Sequence, residues 1–211
     1  MGKMNVGFLA AVVLASGCVM HQVVPLPVEN AEGTGSKGEV FLGSVDDARI
    51  FEQRPSSPLK PSARKPVDSL TPEEKAAMIG RIRNGYGKAI GEVGLSEGQT
   101  VPDRMRLLIR QALQKRGYTV TDNAKAPLAV SAKVTDFWAM SMMRFADIDF
   151  EASVGAAITL TRHNKSQSVQ VEGHGHNSGQ MVKPANWQVV YERAFEDFVA
   201  KLDGELARAD W

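Results

Sequence analysis

The clearest repeating pattern in the chain is an alternation over 148–161. Ile148, Phe150, Ala152, Val154, Ala156, Ile158 and Leu160 are separated by Asp149, Glu151, Ser153, Gly155, Ala157 and Thr159. Successive side chains of a strand point to opposite faces, so this predicts one long, half-buried strand. His163, Asn164, Lys165 and Ser166 turn it into another, from Ser168 to about His176. Shorter apolar runs predict strands over 40–45, 118–121 and 128–135. Elsewhere the period lengthens. Met105, Leu108, Ile109, Ala112 and Leu113 make one stripe of a helix over 102–116, capped by Thr100 and ended by Gly117. Trp187, Val190, Tyr191, Ala194, Phe195, Phe198, Val199 and Leu202 make the same kind of face on a helix from about Asn186. Thr71, Pro72 and Glu74 form a capping-box start for a shorter helix that fades near Gly80. These elements predict an α+β two-layer sandwich: a mainly antiparallel sheet with two long amphipathic helices on one face.

The stretch IGRIRNGYGKAIG, residues 79–91, is glycine-rich and basic. It fails as a phosphate loop, because the lysine must directly follow the second glycine and be followed by a hydroxyl. Asn84-Gly85 instead predicts a two-residue hairpin turn. That turn sets Arg83 opposite Tyr86 and Arg81 opposite Lys88, which makes one side of the hairpin a cationic patch around a tyrosine.

The N-terminus changes the picture. Lys3, a short apolar run over 6–14 and small residues leading to Cys18 describe a secretory signal. The run is too short to span a bilayer, which takes about 20 apolar residues. Leu14, Ala15, Ser16, Gly17 and Cys18 resemble a lipobox, the processing site of bacterial prolipoproteins, with alanine where many carry leucine. The resemblance implies cleavage before Cys18, a diacylglycerol on its thiol and an acylated amine. Val19 follows where lipoproteins kept at the inner membrane carry aspartate, which implies an outer-membrane destination. The expected organisation is a signal peptide over 1–17, a lipidated flexible tether over 18–37 and one periplasmic domain over 38–211. A proline-rich exposed loop is expected over 51–67, with Pro55, Pro58, Pro61 and Pro66 between polar and basic residues.

Charge narrows the partners. Lys and Arg total 25 and Asp and Glu 24, and Lys3 leaves with the signal, so the processed chain is balanced. No excess positive charge draws it to nucleic acid, and membrane contact is expected through the lipid alone. Cys18 is the only cysteine, so a lipidated chain has no disulfide.

Two constellations invite chemistry. His174 and His176 share one strand face and could hold the edge of a metal site, with His163, Asp147 and Asp149 the only nearby candidates for further ligands. The flanking glycines more simply mark a fraying strand end. Residues 137–145 crowd Phe137, Trp138, Met140, Met142 and Met143 between strands. They read either as a loop folded over the core edge or as a docking patch for a partner. No nucleophile elbow and no cofactor motif occurs.

The lipobox, VFLGSVDDAR, IGRIRNGYG, a capped helix ending KRGYTV and the terminal amphipathic helix together resemble the YajG-like group of bacterial lipoproteins. The proline-rich insert departs from that group's shorter pattern, and the group brings no catalytic residues. The expectation is a non-enzymatic, cofactor-free accessory or assembly subunit of an envelope complex, facing the periplasm and self-associating or bound to other proteins. Trp138, Met140, Met142, Met143, Arg81, Arg83 and Tyr86 are its candidate contact residues. A glycan- or peptide-binding module using the same residues is the second reading, and a metal-dependent hydrolase the third.

Overall fold

The computed structural model describes residues 20–29, 35–163 and 165–208. The strands are β1 (Met20–Val24), β2 (Glu39–Asp47), β3 (Met78–Arg83), β4 (Ala89–Leu95), β5 (Thr119–Thr121), β6 (Leu128–Met143), β7 (Ile148–Arg162) and β8 (Lys165–Gly179). The helices are α1 (Pro72–Ala77), α2 (Val101–Lys115) and α3 (Pro184–Arg208). All eight strands join one sheet whose spine is β6. One edge of β6 is filled along its length by β7, which pairs in turn with β8. The other edge is shared end to end: β2 lies against residues 128–134 and β3 against 139–142. β5 flanks β2, while β4 and then β1 flank β3.

The expected α+β class holds, with α2 and α3 packed on each other and on the sheet, but the sheet is mixed rather than mainly antiparallel. Among the described residues only the hairpins β3–β4, β6–β7 and β7–β8 are antiparallel. β2 and β3 both run with β6, because the segment over 48–77 separates them and lets the chain return in the same direction.

The pairing of β6 shifts by one residue between Val134 and Asp136. Val130, Ala132 and Val134 face the helices before this bulge, and Phe137 and Ala139 do so after it. One extra residue thus swaps the faces of the strand. Phe137 stacks on Tyr191 of α3 at 5.2 Å, whereas Trp138 points to the opposite face.

Thr71 and Glu74 close the expected capping box, but α1 runs straight into β3 at Met78. Of the tether expected over 18–37, residues 20–29 are docked on the domain instead. β1 pairs with β4, Val24 and Leu26 are buried, and Trp187 Nε1 donates to Gln22 Oε1 at 2.7 Å. Gln188 and Arg104 hold the carbonyls of Pro25 and Leu26. Apolar side chains at alternate positions gave this segment a face to bury. The proline-rich loop is likewise ordered, with Pro61, Ser62 and Ala63 buried against the face of the sheet away from α2 and α3.

Where β2 ends and β3 begins, the edge of β6 has a seam, and Arg49 fills it. Nε and Nη2 donate to the Asp47 carboxylate at 2.8 and 2.7 Å. Nη1 donates to Met78 O and Phe137 O, and Nη2 also to Lys75 O. All five guanidinium N–H groups are therefore used, and the side chain is fully buried. Arg49→Met should cost about 3–5 kcal/mol by stranding a carboxylate and three carbonyls. Arg49→Lys should recover only part of it, since an ammonium has three donors. Urea unfolding of the three proteins measures this; equal midpoints would show that the seam holds itself.

Candidate functional site

The face of the sheet opposite the helices carries most of the candidate residues. Neighbouring strands place Arg81 beside Met140, Glu151 and His176 in one row, and Trp138 beside Ser153 and His174 in the next. The proline-rich segment lies over part of this face. Phe51 meets Trp138 edge-on at 5.7 Å, and the Arg49 guanidinium sits 5.4 Å from the Phe51 ring.

The cationic hairpin patch does not form. The loop is wider than two residues, with Arg83 opposite Ala89 and Arg81 opposite Glu92. Asn84 organises it: its side-chain oxygen accepts from Tyr86 N and Lys88 N, and the turn closes with Gly87 at φ 77°. Arg81 and Arg83 are buried, not presented. Arg81 donates to Glu92 Oε1 at 2.7 Å; Arg83 donates to Gly87 O and Pro58 O. Burial lowers the pKa of both arginines; Glu92 opposes this at Arg81, and the neighbouring Arg81 charge adds to it at Arg83. Tyr86 stands apart at the loop tip, 98% exposed.

Residues 137–143 are not a connection between strands but the second half of β6. Trp138 and Met140 are buried beneath the chain's own covering, while Met142 and Met143 are half-buried. The exposed apolar group here is Phe145, in the β6–β7 turn.

His174 and His176 do share a face, beside a cleft of about 350 Å³ whose opposite wall is Leu59 of the proline-rich loop. His174 Nε2 lies 3.5 Å from Glu172 Oε1, and His176 Nε2 lies 3.8 Å from Asp149 Oδ1. Ser153 Oγ donates to the same Glu172 oxygen at 2.8 Å. His163 sits in the β7–β8 turn at φ 47°, roughly 30 Å or more away along the ladder. Among the described residues no group of three or more His, Cys, Asp or Glu side chains is placed to hold a metal. Cys18 lies outside the described residues.

The glycines around His174 do not mark a fraying end; they sit within β8, where α3 touches the sheet. A Cβ on Gly173 would collide with Ala194 O and Phe198 N, and one on Gly175 with Val190 O. Hydrogen bonds seal the contact: His174 N donates to Asp197 Oδ2 and Arg193 to His176 O. Partial burial tends to raise the Asp197 pKa, but bonds from Lys201 and the His174 amide outweigh it and hold the carboxyl below its ordinary value.

No family model and no curated protein matches the chain. Among solved structures, an uncharacterized protein is similar at 9% identity and TM-score 0.44, with 88% of this chain and 98% of that one covered. Protein XCC0632 of Xanthomonas campestris, of the DUF330 family, is similar at 11% identity and TM-score 0.46, covering 89% and 93%. The hypothetical protein CT253 of Chlamydia trachomatis follows at 14% identity and TM-score 0.35, covering 84% and 99%.

The collision at Gly175 predicts that Gly175→Ala destabilises by about 3 kcal/mol, since backbone must move to admit one methyl. His174→Ala and His176→Ala, which alter only the exposed face, should stay within about 0.5 kcal/mol of the parent. Chemical denaturation reads the difference; a tolerated Gly175→Ala would refute the contact.

Proposed function

We propose that the protein is a lipid-anchored, non-enzymatic accessory subunit of the bacterial envelope, of the YajG-like kind, held at a membrane by Cys18 and facing the periplasm. The lipobox at 14–18 motivates this, and one structural observation supports it. β1 starts at Met20, level with Gly91 of β4 and Ile82 of β3. The tip of the β3–β4 loop, the β6–β7 turn and the β8–α3 connection all project from this end of the sheet. Each carries an exposed apolar side chain: Tyr86 (98%), Phe145 (108%) and Met181 (53%). The first two loops abut, since a Cβ at Gly85 would lie 3.4 Å from Met143 O.

A lipid on Cys18 would be at most about 7 Å of chain from the first paired residue. The domain then stands close to its bilayer, and the exposed aromatic rings meet the interfacial zone where such side chains partition. Membrane contact in this reading is not through the lipid alone. No helix among the described residues is long and apolar enough to cross a membrane, so the acyl chains carry the anchoring energy, about 0.8 kcal/mol for each buried methylene.

Cys18→Ser should move the protein from the membrane fraction to the soluble periplasmic fraction with its circular dichroism unchanged. Intact mass of the parent should show a processed N-terminus bearing diacylglycerol and an amide-linked chain. A Cys18→Ser protein that still sediments with membranes, or a parent with a free thiol, overturns the reading.

A further inference from the structure

At the opposite end of the sheet, about 40 Å from the row of Met20 along β6, lies a cavity of about 350 Å³. Lys37, Arg116 and Arg162 line it, with Glu39 the only carboxylate among its lining residues. Tyr118, Leu128 and Leu206 add apolar wall. The cations come from three separate elements: the approach to β2, the C-terminal cap of α2 and the last residue of β7. Their pairing is incomplete. Arg116 Nη1 reaches Asp203 Oδ1 only at 3.5 Å, and Lys37 lies 5.9 Å from the centre of the Tyr118 ring. The Arg162 side chain has no hydrogen-bond or ion-pair partner among the described residues, and the Nε groups of Arg116 and Arg162 are buried without an acceptor. A buried, unpaired N–H is costly, and two guanidinium groups sharing one cavity repel each other.

We infer that Lys37, Arg116 and Arg162 form a binding site for a phosphate monoester. A dianion would supply acceptors for both buried Nε groups and offset the excess positive charge, with two planar guanidinium forks and an ammonium around it. The cavity is larger than inorganic phosphate needs, and its apolar wall takes the organic part of an ester. This site does not depend on the lipid anchor, so either can fail without the other.

The test is calorimetric titration of the full chain in non-ionic detergent with inorganic phosphate, glycerol phosphate and acetate at matched ionic strength. Saturable one-to-one binding of both phosphates is expected, with glycerol phosphate at least as tight and acetate silent. Arg162→Gln should weaken binding about tenfold or more, as expected for a lost charge-assisted hydrogen bond. Arg144→Gln, at the other end of the sheet, should bind like the parent. If Arg162→Gln melts early, Lys37→Gln, at an exposed position, carries the same test. No saturable phosphate heat, acetate binding as tight as phosphate, or equal weakening by Arg144→Gln each overturns the site.

Discussion

The architecture depends on one buried guanidinium. β6 is long enough to carry two different strands on one edge, and a strand edge cannot be interrupted in the interior without leaving carbonyls unpaired. Arg49 closes that interruption with a planar fork that reaches the end of β2 through Asp47, the end of α1 through Lys75, the start of β3 through Met78 and the spine through Phe137. Its position two residues after β2 makes the rest follow. The chain is pinned as it leaves the sheet, so the proline-rich segment passes over the face away from the helices, and Phe51 is set against Trp138. A loop with few backbone donors of its own becomes a cover because its first turn is fixed by a charge that has nowhere else to go.

The two faces of the sheet meet different demands. On one, α3 approaches β8 so closely that glycine is required at 173 and 175, and Tyr191 is buried with its hydroxyl donating to Ile79 O at 2.5 Å. Burial pushes the Tyr191 pKa well up, so this phenol keeps its proton and its hydrogen bond. On the other face, the intervening positions 172, 174 and 176 carry Glu, His and His, solvated and weakly paired. Period-two geometry converts a Gly-His-Gly-His string into a packing surface and a polar surface at once. That is why a histidine pair at ligand spacing here gathers no third ligand among the described residues: its spacing follows that of the glycines beneath it.

Much of the fold was legible in the sequence where its cause was local. The α2 and α3 stripes, the Thr71 capping box and the 148–161 alternation all rest on interactions within a few residues, and each appears where the pattern puts it. Legibility failed where the cause was distant. The run over 137–143 reads as non-strand because the bulge shifts its phase and the covering loop then buries both faces, erasing alternation. Parallel pairing of β2 and β3 with β6 leaves no local mark. Asn84-Gly85 is a strong turn signal, but its tighter form lost to a wider loop in which the Asn84 side chain takes two backbone donors. Residues at the two ends of the sheet, such as Phe145, Met181 and Arg162, were visible only as single letters, because loops far apart in the chain bring them together.

Those ends differ in a way that the balanced total charge conceals. One presents aromatic and thioether groups on three connections, at the end where β1 begins two residues after the only cysteine. The other presents two guanidinium groups with buried, unsatisfied donors around a cavity. A rigid sheet keeps these chemistries apart by about 40 Å. Its core runs nearly the length of its long strands, from Leu128 to Ala139 on β6 and from Phe150 to Leu160 on β7. A strand that long must be fixed in register to hold its ends at a defined separation. The bulge at 135, the glycine contacts and the Arg49 seam are what fix it.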